Sequence, residues 1–146
     1  MINVHRLMLV KEKGQVPWDS RKTVTTPDAV AKMMTKYLSG ADREHFVVVA
    51  LDTRLHVIGV NTVSVGALDQ SVVHPREVFK YAVLTNAASL ILCHNHPSGD
   101  LEPSEEDIRT TRRLKQAGEI LGIGVVDHII VHQDRWLSMQ KHGSLP

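Results

Sequence analysis

Six consecutive apolar residues, Phe46-Val47-Val48-Val49-Ala50-Leu51, leave few architectures open to this chain. The run has strand length and lacks the alternation of a half-exposed strand, so it reads as a strand covered on both faces. After the short Asp52-Thr53-Arg54 connection, Leu55 to Val65 supplies a second strand, placed to form an antiparallel hairpin with the first. Ser89 to His94 and Val125 to His132 read as further strands, and Trp136 to Met139 as a return antiparallel to the latter. Leu7 to Val10 is apolar enough for an edge strand, and Lys11 to Lys22, with Gly14 and Pro17, reads as a connection.

Helical signals lie between the strands. Thr26-Pro27 offers an N-cap hydroxyl and a proline at the first helical position, followed by Val30, Met33, Met34 and Tyr37 or Leu38 at helical spacing until Gly40. His74-Pro75 opens a second helix with Val78, Phe79, Ala82 and Val83, ending near Asn86. Ser104 caps a third, long helix to about Leu121, where Gly122 and Gly124 break the pattern. The expectation is one α/β domain, a mixed sheet flanked by three helices, with residues 1–24 as an edge strand and connecting segment and 25–146 as the globular body.

Composition narrows the class. At 146 residues the chain has the length of one ordinary domain, which needs no metal to fold. The 17 basic and 16 acidic residues nearly cancel, so there is no global electrostatic case for nucleic acid or an anionic membrane. A single cysteine, Cys93, rules out an internal disulfide and fits a reducing compartment, with the cytoplasm as the expected location. Met1 to Val10 lacks the apolar core and cleavage site of a signal peptide, and no apolar run approaches the roughly 20 residues that span a bilayer.

The chemistry concentrates in His94-Asn95-His96-Pro97 and Ser104-Glu105-Glu106-Asp107. Histidines one residue apart at the end of a strand point to the same side, so both rings can reach one ion. With Asp107 they form a three-ligand set for a divalent cation, zinc by preference, with water in the remaining position, and this suggests a hydrolase. Ser104 and Asp107 also have the spacing of a capping box, which is compatible with both roles. The serine hydroxyl could further donate to a carbonyl oxygen as that oxygen gains charge. A metal-dependent hydrolase needs a carboxylate base outside the ligand set. Glu44, at the start of the apolar strand, competes for this role with Asp42, Asp100, Glu102, Glu105 and Glu106.

On these residues the chain resembles the JAB/MPN metallohydrolases that carry a JAMM motif. Their pattern of an upstream Glu, then His-x-His-Pro, then Ser and Asp is matched by Glu44, His94, His96, Pro97, Ser104 and Asp107. Within that group it is similar to the RadC type, through His-Asn-His-Pro-Ser-Gly-Asp at 94–100, Pro103-Ser104 and Asp127-His128-Ile129-Ile130. The resemblance runs from about residue 25 to the C-terminus. It implies a cytidine-deaminase-like fold and one zinc held by His94, His96 and Asp107. It also implies Glu44 as general base, Ser104 as an oxyanion donor, and cleavage of peptide or isopeptide bonds in a protein substrate or modifier conjugate. Asn95 stands where deubiquitinating members carry Ser or Thr. RadC-type proteins are also associated with DNA repair, and usually carry an N-terminal helical extension that these 146 residues are too few to include.

Other features have plainer readings. Cys93 adjoins His94 but faces the other side of the strand and reads as a buried small hydrophobe. Arg109, Arg112 and Arg113 share a face of the long helix, either a solvated surface or a basic strip for phosphate. That strip motivates the alternative of a nucleic-acid-binding module with a structural or vestigial zinc site. His128 could support the site from behind or make a structural hydrogen bond. His74-Pro75-Arg76 reads as a helix start, and His5, His45, His56, His132 and His142 have no spacing that selects them for metal.

Overall fold

The computed structural model describes residues 1–14, 16–66 and 73–146. Its elements run α1 (Pro27–Tyr37), β1 (His45–Leu51), β2 (Val57–Val65), α2 (Pro75–Leu84), β3 (Ser89–Asn95), α3 (Glu105–Leu121), β4 (Gly124–His132), β5 (Arg135–Ser138) and α4 (Met139–His142). The strands form one mixed sheet in the order β2-β1-β3-β4-β5. β3 and β4 are parallel, joined by the α3 crossover, and the other neighbouring pairs are antiparallel.

The apolar run in β1 sits where its lack of polarity requires, with both faces covered. Val47, Val49 and Leu51 point toward α1 and pack with Val30, Met33 and Met34. Phe46, Val48 and Ala50 point the other way, toward Val78, Phe79 and Ala82 of α2 and Leu114 of α3. The period of two in the strand thus divides one continuous run between two apolar layers. Among the described residues no helix is long and apolar enough to cross a membrane.

Three expectations need correction. Leu7 to Val10 forms no strand: an apolar run needs a neighbouring ladder, and among the described residues the isolated bridge outside the named strands is the antiparallel one from Thr23 to His56, just before β2. A fourth helix, α4, replaces the expected continuation of the last strand through Met139. Ser138 turns the chain there, its Oγ accepting from the Lys141 N–H, while the buried Asp127 carboxylate accepts from the Gln140 N–H at 3.0 Å. Thr26 stands at the α1 N-cap, but its side chain makes no capping bond, leaving Pro27 as the local start signal. The α3 signals hold, with Ser104 in a reciprocal capping box and Gly122 as a left-handed C-cap at φ 72°.

Candidate metal centre

Three segments meet at one end of the sheet. The antiparallel register of β1 and β3 sets Phe46 opposite His94, so Glu44 lies just beyond β1 beside the end of β3. The chain leaves β3 through Pro97-Ser98-Gly99-Asp100, with Gly99 at φ 88°, and returns at the N-terminus of α3 carrying Ser104 and Asp107.

His94 Nε2 lies 2.7 Å from His96 Nε2, 3.2 Å from Asp107 Oδ1 and 3.8 Å from Glu44 Oε1. His96 Nε2 is 3.1 Å from Asp107 Oδ2, and one ligand atom from each of the four residues falls within 4.8 Å of all the others. The far ring nitrogens are engaged elsewhere. His96 Nδ1 donates to the Asp100 carbonyl at 2.5 Å, and His94 Nδ1 lies 2.7 Å from His128 Nε2. Both rings therefore turn Nε2 toward the same point as the Asp107 carboxylate. With the carboxylate, the two imidazoles make a borderline-soft donor set of the kind zinc takes. The residues fit a divalent metal.

Burial works to raise the pKa of Asp107, but hydrogen bonds to His94 and His96 and from the Ser104 N–H hold it well below the usual carboxylate range. For His96 burial works downward, and Asp107 and the Asp100 carbonyl prevail, so its pKa is raised. His128 is pushed well below the ordinary imidazole value by complete burial.

The surrounding bonds hold each part in place. Asp107 Oδ2 accepts from the Ser104 N–H at 2.8 Å, and Ser104 Oγ accepts from the Asp107 N–H at 3.0 Å. This leaves the serine hydroxyl proton available to the cleft that Ser104 lines. Asn95, buried between the two histidines in sequence, clamps both neighbours of Glu44. Its Oδ1 accepts from the His45 N–H at 2.7 Å, and its Nδ2 donates to the Arg43 carbonyl at 2.8 Å. His132 Nδ1 donates to the His96 carbonyl at 2.9 Å, and Arg135 donates to the Gly99 carbonyl at 2.9 Å. The β4–β5 turn thereby pins the loop that carries His96.

The group lies at a cleft of about 390 Å³ lined by Glu44, His96, Pro97, Ser104 and Asp107 among others. Of the carboxylates left open by spacing, Glu44 is the one whose oxygen joins the histidines among the described residues. Asp100, Glu102 and Glu106 line the cleft wall, and Asp42 and Glu105 do not. Cys93 is buried in the α1-facing layer, and burial pushes its thiol pKa up, so it is no nucleophile. Arg109, Arg112 and Arg113 are exposed, and Arg109 is paired with Glu106 at 2.8 Å. His56 pairs with Asp52 and His142 faces Glu102, both outside the four-residue group. The sequence reading missed the Asn95 clamp and the hold of His132 on His96. Neither leaves a local signal, because both depend on strand register.

A three-layer α/β domain in which two histidines and one carboxylate, with a second carboxylate beside them, could hold a metal ion is of the JAB-like class. The sequence matches the RadC-like JAB domain over residues 24–144, and the chain belongs to that family. It is 48% identical over 125 residues to a UPF0758 protein of Desulfitobacterium hafniense, covering 86% of this chain and 55% of that protein. It is 45% identical over 137 residues to a UPF0758 protein of Desulforamulus reducens, covering 94% and 60%. A UPF0758 protein of Rubrobacter xylanophilus is 50% identical over 125 residues, covering 86% and 55%. The chain spans little more than half the length of these curated relatives.

Proposed function

We propose that this domain is a zinc-dependent hydrolase of peptide or isopeptide bonds. The observation that carries the reading is the convergence of His94 Nε2, His96 Nε2 and the Asp107 and Glu44 carboxylates within 4.8 Å at the cleft. His94, His96 and Asp107 hold the metal. Zinc bound there supplies a Lewis acid, which polarises a carbonyl and makes water acidic enough to react near neutral pH.

The remaining work falls to the chain's own groups. Glu44, clamped through its neighbours by Asn95, accepts the proton of the attacking water and returns it to the departing amine. Ser104, whose Oγ accepts from the Asp107 N–H, directs its hydroxyl proton to the carbonyl oxygen as negative charge builds there. A protein substrate reaches the centre through the cleft. With one buried cysteine, the domain suits a reducing compartment such as the cytoplasm.

The test is a panel of peptide and Lys-ε-amide substrates, assayed with zinc-loaded parent and zinc-loaded Glu44→Gln. Cleavage by the parent, lost in a variant that still binds zinc, is the expected result. If no amide in the panel is cleaved in a Glu44-dependent way, the hydrolase reading falls.

A further inference from the structure

Behind His94 runs a buried chain of polar groups that hydrolysis itself does not use. His94 Nδ1 lies 2.7 Å from His128 Nε2, His128 Nδ1 lies 2.6 Å from Thr111 Oγ1, and Thr111 Oγ1 donates to the Asp107 carbonyl at 2.6 Å. All three side chains come from residues with no solvent exposure.

Proton counting fixes the direction of the chain. A carbonyl oxygen only accepts, so the Asp107 carbonyl takes the one hydroxyl proton of Thr111. Thr111 Oγ1 is then an acceptor, and His128 must donate to it from Nδ1. The His128 ring is fully buried and, among the described residues, neither of its nitrogens is hydrogen-bonded to a carboxylate, the Asp127 carboxylate taking the backbone N–H instead, so the ring stays neutral and accepts at Nε2. His94 accordingly donates from Nδ1. In the neutral ring the lone pair is then on Nε2, the atom that faces His96 and Asp107.

We infer that His128 and Thr111 are positioning residues, which lock His94 in the tautomer and orientation that bind metal and so set the affinity of the centre. The inference rests on the metal reading above and adds two residues to it. Metal-bound histidines commonly give their other N–H to a carboxylate or a backbone carbonyl. Here the partner is a second, neutral imidazole, which orients the ligand without adding charge. The chain also ends on the backbone of another ligand, so His94 on β3 and Asp107 on α3 are joined through β4 by a route that bypasses the ion. Phe46 closes the chain off from the side, stacked on His94 at 6.1 Å between centroids and edge-on to His128 at 5.4 Å.

The experiment combines histidine ring ¹⁵N NMR of the metal-free parent with zinc affinity by chelator competition for the parent, His128→Phe, His128→Gln and Thr111→Val. At about pH 8, above the ordinary imidazole pKa of ~6.5, the parent should show both His94 and His128 protonated on Nδ1. His128→Phe and Thr111→Val should bind zinc about 10–100-fold more weakly. His128→Gln, whose amide can accept from His94 and donate to Thr111, should recover most of that loss and keep His94 protonated on Nδ1. A parent with His94 protonated on Nε2 overturns the inference without any variant having to fold. Folded His128→Phe with zinc affinity within about twofold of the parent overturns it as well. A parent that binds no zinc overturns the metal reading and this inference together, whereas tight zinc binding with the wrong tautomer overturns the inference alone.

Discussion

Replacing Asn95 with leucine removes the clamp at the start of β1 while leaving both histidines in place. Asn95 is 5% exposed, and its amide makes two bonds across the sheet, one to the His45 N–H at 2.7 Å and one to the Arg43 carbonyl at 2.8 Å. Leucine has a similar size, so little cavity forms and the main cost is two backbone groups without partners. The half-buried His45 N–H should cost about 1–3 kcal/mol, and the carbonyl of exposed Arg43, which water can reach, about 0.5 kcal/mol. A net loss of about 2–3 kcal/mol is expected. With a urea m-value of ~1.5–2 kcal/mol/M, the unfolding midpoint should fall by about 1–2 M at unchanged m. Zinc content should persist, because His94, His96 and Asp107 keep their contacts, while Glu44-dependent turnover should drop as the base loses its anchor. A midpoint within about 0.3 M of the parent would refute the clamp.

Asp127→Ala should cost about 3 kcal/mol or more, because the His128 N–H at 2.7 Å, the Gln140 N–H at 3.0 Å and the Ser138 hydroxyl at 2.5 Å all lose one buried acceptor. Hydrogen exchange should show Gln140 losing protection first. Gly118→Ala should destabilise despite a helix-propensity gain of ~1 kcal/mol, since a Cβ there would lie 2.2 Å from the Ile123 carbonyl oxygen; a melting temperature at or above the parent's would contradict this. Zinc affinity should fall on acidification. His96 binds metal only when neutral, and its raised pKa lets protons compete at a higher pH than for a free imidazole, while Asp107 stays ionised throughout. A zinc dissociation constant unchanged between about pH 8 and about pH 5.5 would contradict that assignment.

What could be read from the sequence was what local pattern encodes. The unbroken β1 run, the capping box at Ser104 and the one-residue spacing of His94 and His96 each carry their geometry within a few residues, and the structure places them as that geometry requires. Leu7 to Val10 misled because apolar composition alone does not supply a neighbouring strand. The four-residue α4 was hidden because a contact from distant Asp127 helps to start it. The same limit applied at the site. Asn95 meets Arg43 across 52 residues of chain, and Thr111 meets His128 only through the combined phase of α3 and register of β4. Choosing Glu44 over its acidic competitors needed either the family resemblance or the β1–β3 pairing, since spacing alone left them level.

The central claim is that His94, His96 and Asp107 form a metal centre. The most direct measurement is elemental analysis of protein prepared without a metal-binding tag, for the parent, His96→Ala and Asp107→Ala. One tightly held zinc per chain in the parent, lost from both variants while they remain folded, is the predicted result. A parent that takes up no zinc after reconstitution, or folded variants that retain it in full, would contradict the account.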